Sequence, residues 1–277
     1  MPERRTIVYG YDGSFEGLLC CVFESYENKE IPLDVVSLED GLPLLLPVRM
    51  VETDEQKAKR VLRAIPHKIG PEAFQLVRNG YLTCHPKKGQ LILDFLRLGF
   101  LKGGSIVNML ADQTVSELTN AVRHLNNEAH LLKGFVRFSE ANGALVAQIE
   151  PKNIVLPLLA PHFSARFRCE NFLIHDKNHS MALIHKPGTM GIVPVEQYVM
   201  PKPGQEELRF RALWRLFYDT IEVEGRHNPR TRMGHMPKRY WRCMTEFARC
   251  DGISTEQNTA LHDTVIAALS EPNKTKQ

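Results

Sequence analysis

The chain has no apolar run long enough to cross a bilayer. Its longest, from Gly41 to Val48 (GLPLLLPV), is broken by two prolines and falls far short of the roughly 20 residues a membrane helix needs. The amino terminus, MPERRTIVYGYDG, also lacks the apolar segment and small-residue cleavage site of a secretory leader. A cytoplasmic location with no membrane partner is the expectation. The cysteines Cys20, Cys21, Cys84, Cys169, Cys243 and Cys250 form neither CxxC pairs nor a disulfide ladder, which points to reduced thiols packed mostly as small hydrophobes. Three closely spaced thiolates, as a radical-type iron–sulfur cluster requires, are missing too. So are a GxSxG elbow, a Walker loop and a GxGxxG fingerprint.

What is present suits a folded protein with a real core. The 277 residues allow one large domain or two modest ones, and 43% hydrophobic content is ordinary for a globular chain. The periodicities predict an α+β fold, mostly helical, with an N-terminal strand-turn-helix and central β-hairpins. Thr6 to Tyr11 reads as a strand. Ser14 to Tyr26 reads as a helix with Phe15, Leu18, Leu19, Val22 and Phe23 on one face. Leu33 to Leu38 suggests a second strand, and Thr53 is placed to cap a helix.

Helices are predicted next over Pro71 to Val77, Gln90 to Leu101 and Thr114 to Leu132. Asn142-Gly143 marks a hairpin within Gly134 to Glu150, with Phe135 and Arg137 on one strand face and Val136 and Phe138 on the other. A second hairpin is expected around Asp176 to Ser180. Ile154 to Arg168 lies between them as a helix that starts late or kinks because of Pro157 and Pro161. Helices return over Gln205 to Val223 and Pro237 to Ala248. A single domain is expected over 1–270, with sub-regions 1–133 and 134–270, and then a tail over 271–277.

Three groups of residues could carry chemistry. The turn Asp12-Gly13-Ser14 is either a phosphate-binding loop at a positive helix end or a simple N-cap. The stretch GRHNPRTRMGHMPKRYWR, Gly225 to Arg242, holds Arg226, Arg230, Arg232, Lys238, Arg239 and Arg242 without one acid. Guanidinium groups bind phosphate and aromatic faces stack on bases, so with Tyr240, Trp241 and Arg137 this suits single-stranded nucleic acid. The alternative is a solvated loop before a helix with Trp241 in the core. Arg63, Lys87, Lys88, Arg97 and Arg123 read as ordinary solvated charges. In the third group, His162, His175 and Asp176 are candidate catalytic residues. Their spacing with Cys169, His179 and His185 matches no metal-binding pattern, so no metal or cofactor is indicated. Consecutive strand residues such as His175 and Asp176 also point to opposite faces.

Taken together, YDGSFEGLLCCVFESYE, FVRFSE, IEPKNIVLPLLAPHFSARF, FLIHDKNHSMALIH and MPKRYWRCMTEF resemble a family of DNA-metabolism proteins that contain a domain of unknown function and are linked to radical SAM enzymes. The resemblance implies a DNA-related role beside a radical SAM partner. Some members carry a fused uracil-DNA glycosylase, for which the residues after Leu269 are too few. Three functions stay open: a protein that binds single-stranded or distorted DNA during repair or modification, a nucleic-acid hydrolase or lyase using His162, His175 and Asp176 with or without a metal, and a structural adaptor without nucleic-acid binding. Whether the chain is an enzyme is left undecided by the sequence.

Overall fold

The computed structural model describes residues 3–4, 6–38, 46–141, 143–196, 198–201, 203–220, 228–245 and 247. The chain divides into two compact units, Met1–Glu128 with Lys152–Val155, and Ala129–Pro151 with Leu156–Gln277. Helices and sheets are mixed in an α+β fold. No described helix is long and apolar enough to cross a membrane.

The first unit is built from β1 (Glu3–Arg4), β2 (Val8–Tyr11), α1 (Phe15–Glu27), β3 (Glu30–Ile31), β4 (Asp34–Ser37) and β5 (Val48–Met50). The helices α2 (Glu55–Lys68), α3 (Pro71–Tyr81) and α4 (Lys88–Lys102) follow, then a 3-10 turn over Gly103–Asn108 and the long helix α5 (Gln113–Phe135), which continues into the second unit. Strands β4, β2 and β5 form a parallel sheet in that order, and β1 pairs with β3. Central β2 is fully buried, as a parallel strand covered on both faces must be. Its cover includes Leu18, Leu19, Cys20, Cys21 and Val22 of α1, with Ile65 of α2 and Phe95 and Leu96 of α4 in the same core. Helix α4 comes so close to β4 that a Cβ on Gly89 would lie 2.4 Å from the Val35 carbonyl oxygen.

Local chemistry explains the helix starts. Asp54, rather than the expected Thr53, caps α2, its Oδ1 accepting from the amides of Gln56 at 2.7 Å and Lys57 at 3.0 Å. Asp112 does the same for α5 through the amides of Thr114 and Val115. Helix α5 runs past Leu132 to Phe135, and the Val136 amide still donates to the Leu132 carbonyl. Phe135 and Arg137 therefore do not share a strand face: helical periodicity continues through residues that the β-rich composition assigned to a strand. The segment Lys152–Val155 is stapled to the first unit by buried Glu128, which accepts from the Lys152 and Asn153 amides and from Asn153 Nδ2 at 2.6 Å.

The second unit holds β6 (Ser139–Ala141), β7 (Ala144–Ile149), α6 (Leu156–Arg166), β8 (Phe172–Asp176), β9 (Met181–Lys186) and β10 (Thr189–Pro194). These are followed by α7 (Gln205–Thr220), α8 (Pro229–His235) and a 3-10 turn over Lys238–Cys243. The sheet order is β10-β9-β8-β7-β6, antiparallel except between β7 and β8, which α6 connects. Both predicted hairpins are present. Gly143, at φ 76°, closes the first, and Asn142 lies outside the described residues. Phe138, Phe163, Phe167 and Phe172 meet mainly edge to face as α6 packs on the sheet.

The sequence does not announce two of the strands, and one expected helix takes another form. Strands β5 and β10 carried no clear alternation; β10 contains Gly191 and ends at Pro194, as suits an exposed edge strand. Among the described residues, the helix predicted over Pro237 to Ala248 takes the form of the 3-10 turn over Lys238–Cys243; Glu246 and Ala248 lie outside them. Of the cysteines, Cys20, Cys21 and Cys243 are buried, whereas Cys84 and Cys169 are exposed; Cys250 lies outside the described residues.

Candidate functional sites

The Asp12-Gly13-Ser14 turn sits at the carboxyl end of central β2, beside the chain leaving β5. Carboxyl ends of parallel strands are where α/β sheets usually hold ligands. Here the turn's polar groups are engaged with one another. Ser14 caps α1, its Oγ accepting from the Gly17 amide at 2.9 Å and donating to Asp12 Oδ1 at 2.6 Å. The Ser14 amide donates to the same oxygen, and Thr53 Oγ1 donates to Asp12 Oδ2 at 2.8 Å. Tyr81 donates its hydroxyl to the Gly13 carbonyl. Partial burial raises the Asp12 carboxyl, but the hydrogen bonds from Ser14 and Thr53 outweigh it and hold the group below the ordinary aspartate range. A carboxylate thus occupies the helix entrance that a phosphate would need, and the turn is a cap that also ties β2 to the start of α2. Cys20 joins it, its Sγ bonded to both the carbonyl and the amide of Asp54.

The histidine group does not assemble. Asp176 is fully buried and shapes its own turn, accepting from the amides of Asn178 and His179, while its Oδ2 pairs with His179 Nδ1 at 2.8 Å. His175 is buried with no hydrogen-bond partner on either ring nitrogen, and its ring lies 5.3 Å from that of Tyr198. His162 on α6 packs edge-on to Phe163; burial, then Lys133 and Arg166, depress its pKa. Among the described residues no three His, Cys, Asp or Glu side chains converge as a metal-ligand set.

The basic segment is where cations and rings come together. Trp241 stacks on Phe247 at 4.6 Å, and its Nε1 donates to the Met236 carbonyl. Over its ring lie the Arg232 guanidinium at 5.7 Å and the Lys238 ammonium at 5.8 Å. Tyr240 differs: it is buried against Phe135, with the Arg239 guanidinium 4.5 Å from its ring centre, so its face is not open to a base. Arg230 is exposed on α8, and exposed Arg242 reaches Glu150 at 2.8 Å. Arg226 lies outside the described residues.

Arg137 connects this segment to a feature that the sequence reading passed over. Its amide donates to the Cys243 carbonyl at 3.1 Å, while its guanidinium lies 5.9 Å from the Trp214 ring centre. Trp214 stacks on Phe217, and Phe210, Leu213, Trp214 and Phe217 form an exposed face of α7. Arg215 of the same helix donates to the Thr245 carbonyl. The spacing of 210, 213, 214 and 217 is visible in the sequence, but such a stripe ordinarily signals a core-facing side.

A mixed five-stranded sheet, with arginines and two tryptophans gathered on the helices and the 3-10 turn that follow it, defines an α+β protein. The chain belongs to the family of Domain of unknown function DUF4130, whose profile matches residues 86–246. No curated protein and no solved structure matches it.

Proposed function

We propose that the protein binds single-stranded or distorted DNA on its second unit and serves DNA repair or modification beside a radical SAM enzyme. The observation that carries this reading is Arg137: its amide is bonded to the Cys243 carbonyl at the end of the basic 3-10 turn, while its guanidinium lies over the exposed Trp214 ring. Arg230, Arg232, Lys238, Arg239 and Arg242 would meet phosphates. Trp214 would stack on a base directly, and Trp241 would do so by displacing Arg232 or Lys238 from its ring onto the phosphates, a contact worth about 1–3 kcal/mol each. Tyr240 would support the site from beneath. The radical SAM partner rests on family resemblance. The hydrolase or lyase reading has less support, since Asp176 is committed to its turn and to His179 and makes no hydrogen bond to His175.

Fluorescence anisotropy with labelled oligonucleotides tests the proposal. Binding to single strands should exceed binding to duplex and weaken steeply with salt, as each phosphate contact releases a counterion. Absence of binding at low salt would sink it. Co-purification with the radical SAM protein, unaltered by alanine at Arg232 and Lys238, would favour the adaptor instead.

A further inference from the structure

A cleft of about 1030 Å³ opens in the first unit between α1, α2 and α4. Its floor is apolar, with Val22, Val61 and Leu98 among the lining residues, and Phe23, Tyr26 and Phe100 supply three rings. Four cations line it as well: Lys29, Arg60, Lys68 and Arg97. Among the described residues none of the four forms an ion pair with a carboxylate. The acid in the lining, Glu27, lies 3.5 Å from Lys57. Arg60 lies 5.7 Å from the Phe23 ring centre, Lys68 is 5.9 Å from that of Phe100 and Arg97 is 5.0 Å from that of Tyr26. Arg97 is also held in place, donating to the buried hydroxyl of Ser25 at 2.7 Å.

Lys29, Arg60 and Lys68 are exposed and Arg97 is half-buried, so an anion entering the cleft would be attracted by all four. Here they ring an aromatic and aliphatic floor, so the complementary ligand carries negative charge on a flat apolar body. The volume suits a small molecule rather than a folded partner. We infer that this cleft binds a nucleoside phosphate, either free or as the phosphorylated end of a DNA strand. The base would pack among Phe23, Tyr26 and Phe100, and the phosphate would lie on Arg60, Lys68 and Arg97. Arg97 would act as the preorganised contact, and Arg60 and Lys68 as exposed ones. The site shares no residue with the surface proposed for DNA on the second unit, so either can fail alone.

Calorimetric titration of the full chain with deoxyadenosine monophosphate, deoxyadenosine and decyl phosphate tests the assignment. The nucleotide should bind, and both the uncharged nucleoside and the aliphatic phosphate should bind about tenfold more weakly, the scale of one charge-assisted contact. Arg60→Glu and Lys68→Glu, both at exposed positions where folding is secure, should each lower nucleotide affinity by about tenfold or more. Arg123→Glu, at an exposed position of α5 outside both sites, should leave it unchanged. A 5′-phosphorylated oligonucleotide binding more tightly than its 5′-hydroxyl form, with that difference lost in Arg60→Glu, would identify a strand end as the source. Equal affinities for the two oligonucleotides, with the mononucleotide still bound, would identify the free nucleotide. Absent nucleotide binding, tighter binding of decyl phosphate, or charge-reversal variants that bind like the parent would overturn the inference.

Discussion

The Asp12 turn and the Arg230 to Arg242 segment resemble each other in sequence, each offering polar groups beside aromatic and helical neighbours, but they use those groups in opposite ways. At the turn the side chains are satisfied within the protein: Asp12 by Ser14 and Thr53, Ser14 by Asp12 and Gly17, and the Gly13 carbonyl is bonded by Tyr81. In the basic segment Arg232 and Lys238 lie over an indole ring, and Arg230 and Arg242 are exposed. A motif whose groups satisfy one another builds structure. A motif whose cations rest on rings or, like Arg242, in an exposed ion pair retains capacity to bind.

Crowding the turn should give the largest effect. A Cβ on Gly17 would lie 2.3 Å from Asp12 Oδ1 and 2.8 Å from Thr53 Oγ1, so Gly17→Val should cost about 3 kcal/mol or more, read by chemical denaturation. Parent-like stability would mean that the turn is looser than its hydrogen bonds imply. The next largest effect separates two neighbouring aromatics. Trp241→Ala should lower single-strand affinity by about 1–3 kcal/mol. Tyr240→Leu should instead lower stability, with little change in affinity per folded molecule; the reverse result would break the assignment of stacking to Trp241.

A smaller effect should come from Asp12→Asn, about 1 kcal/mol of stability at neutral pH. Because the folded Asp12 carboxyl lies below its ordinary value, its contribution is present above the unfolded pKa and is lost as pH falls through the folded one. The parent should therefore lose its advantage over Asp12→Asn in acid, and a constant gap between their stabilities down to low pH would contradict this. Smallest in stability is Arg242→Ala. It removes an exposed ion pair to Glu150 worth less than about 0.5 kcal/mol, but should shallow the salt dependence of DNA binding by about one counterion.

Particular residues show how far the sequence could be read. Ser14 as a cap and the α1 face were legible because capping and a 3.6-residue period are local properties. The Asn-Gly hairpin was legible for the same reason. Thr53 was misassigned as a cap because its partner, Asp12, lies 41 positions away and arrives only when β5 pairs with β2. Arg97 was read as a solvated charge, yet it is half-buried, stacked on Tyr26 and bonded to Ser25. The stripe on α7 was visible as a period but not as an exposed surface, because spacing says which residues share a side and not what covers it.

The sequence by itself determined the α+β class, the helix-capped opening turn, the hairpins and the acid-free stretch ending at Arg242, since each depends on neighbours within a few residues. Only the tertiary structure decided which polar groups were already satisfied, that Tyr240 is buried while the Trp214 face is exposed, and that four cations line one aromatic cleft. Those outcomes depend on contacts between residues distant along the chain, and on what remains after such contacts have formed.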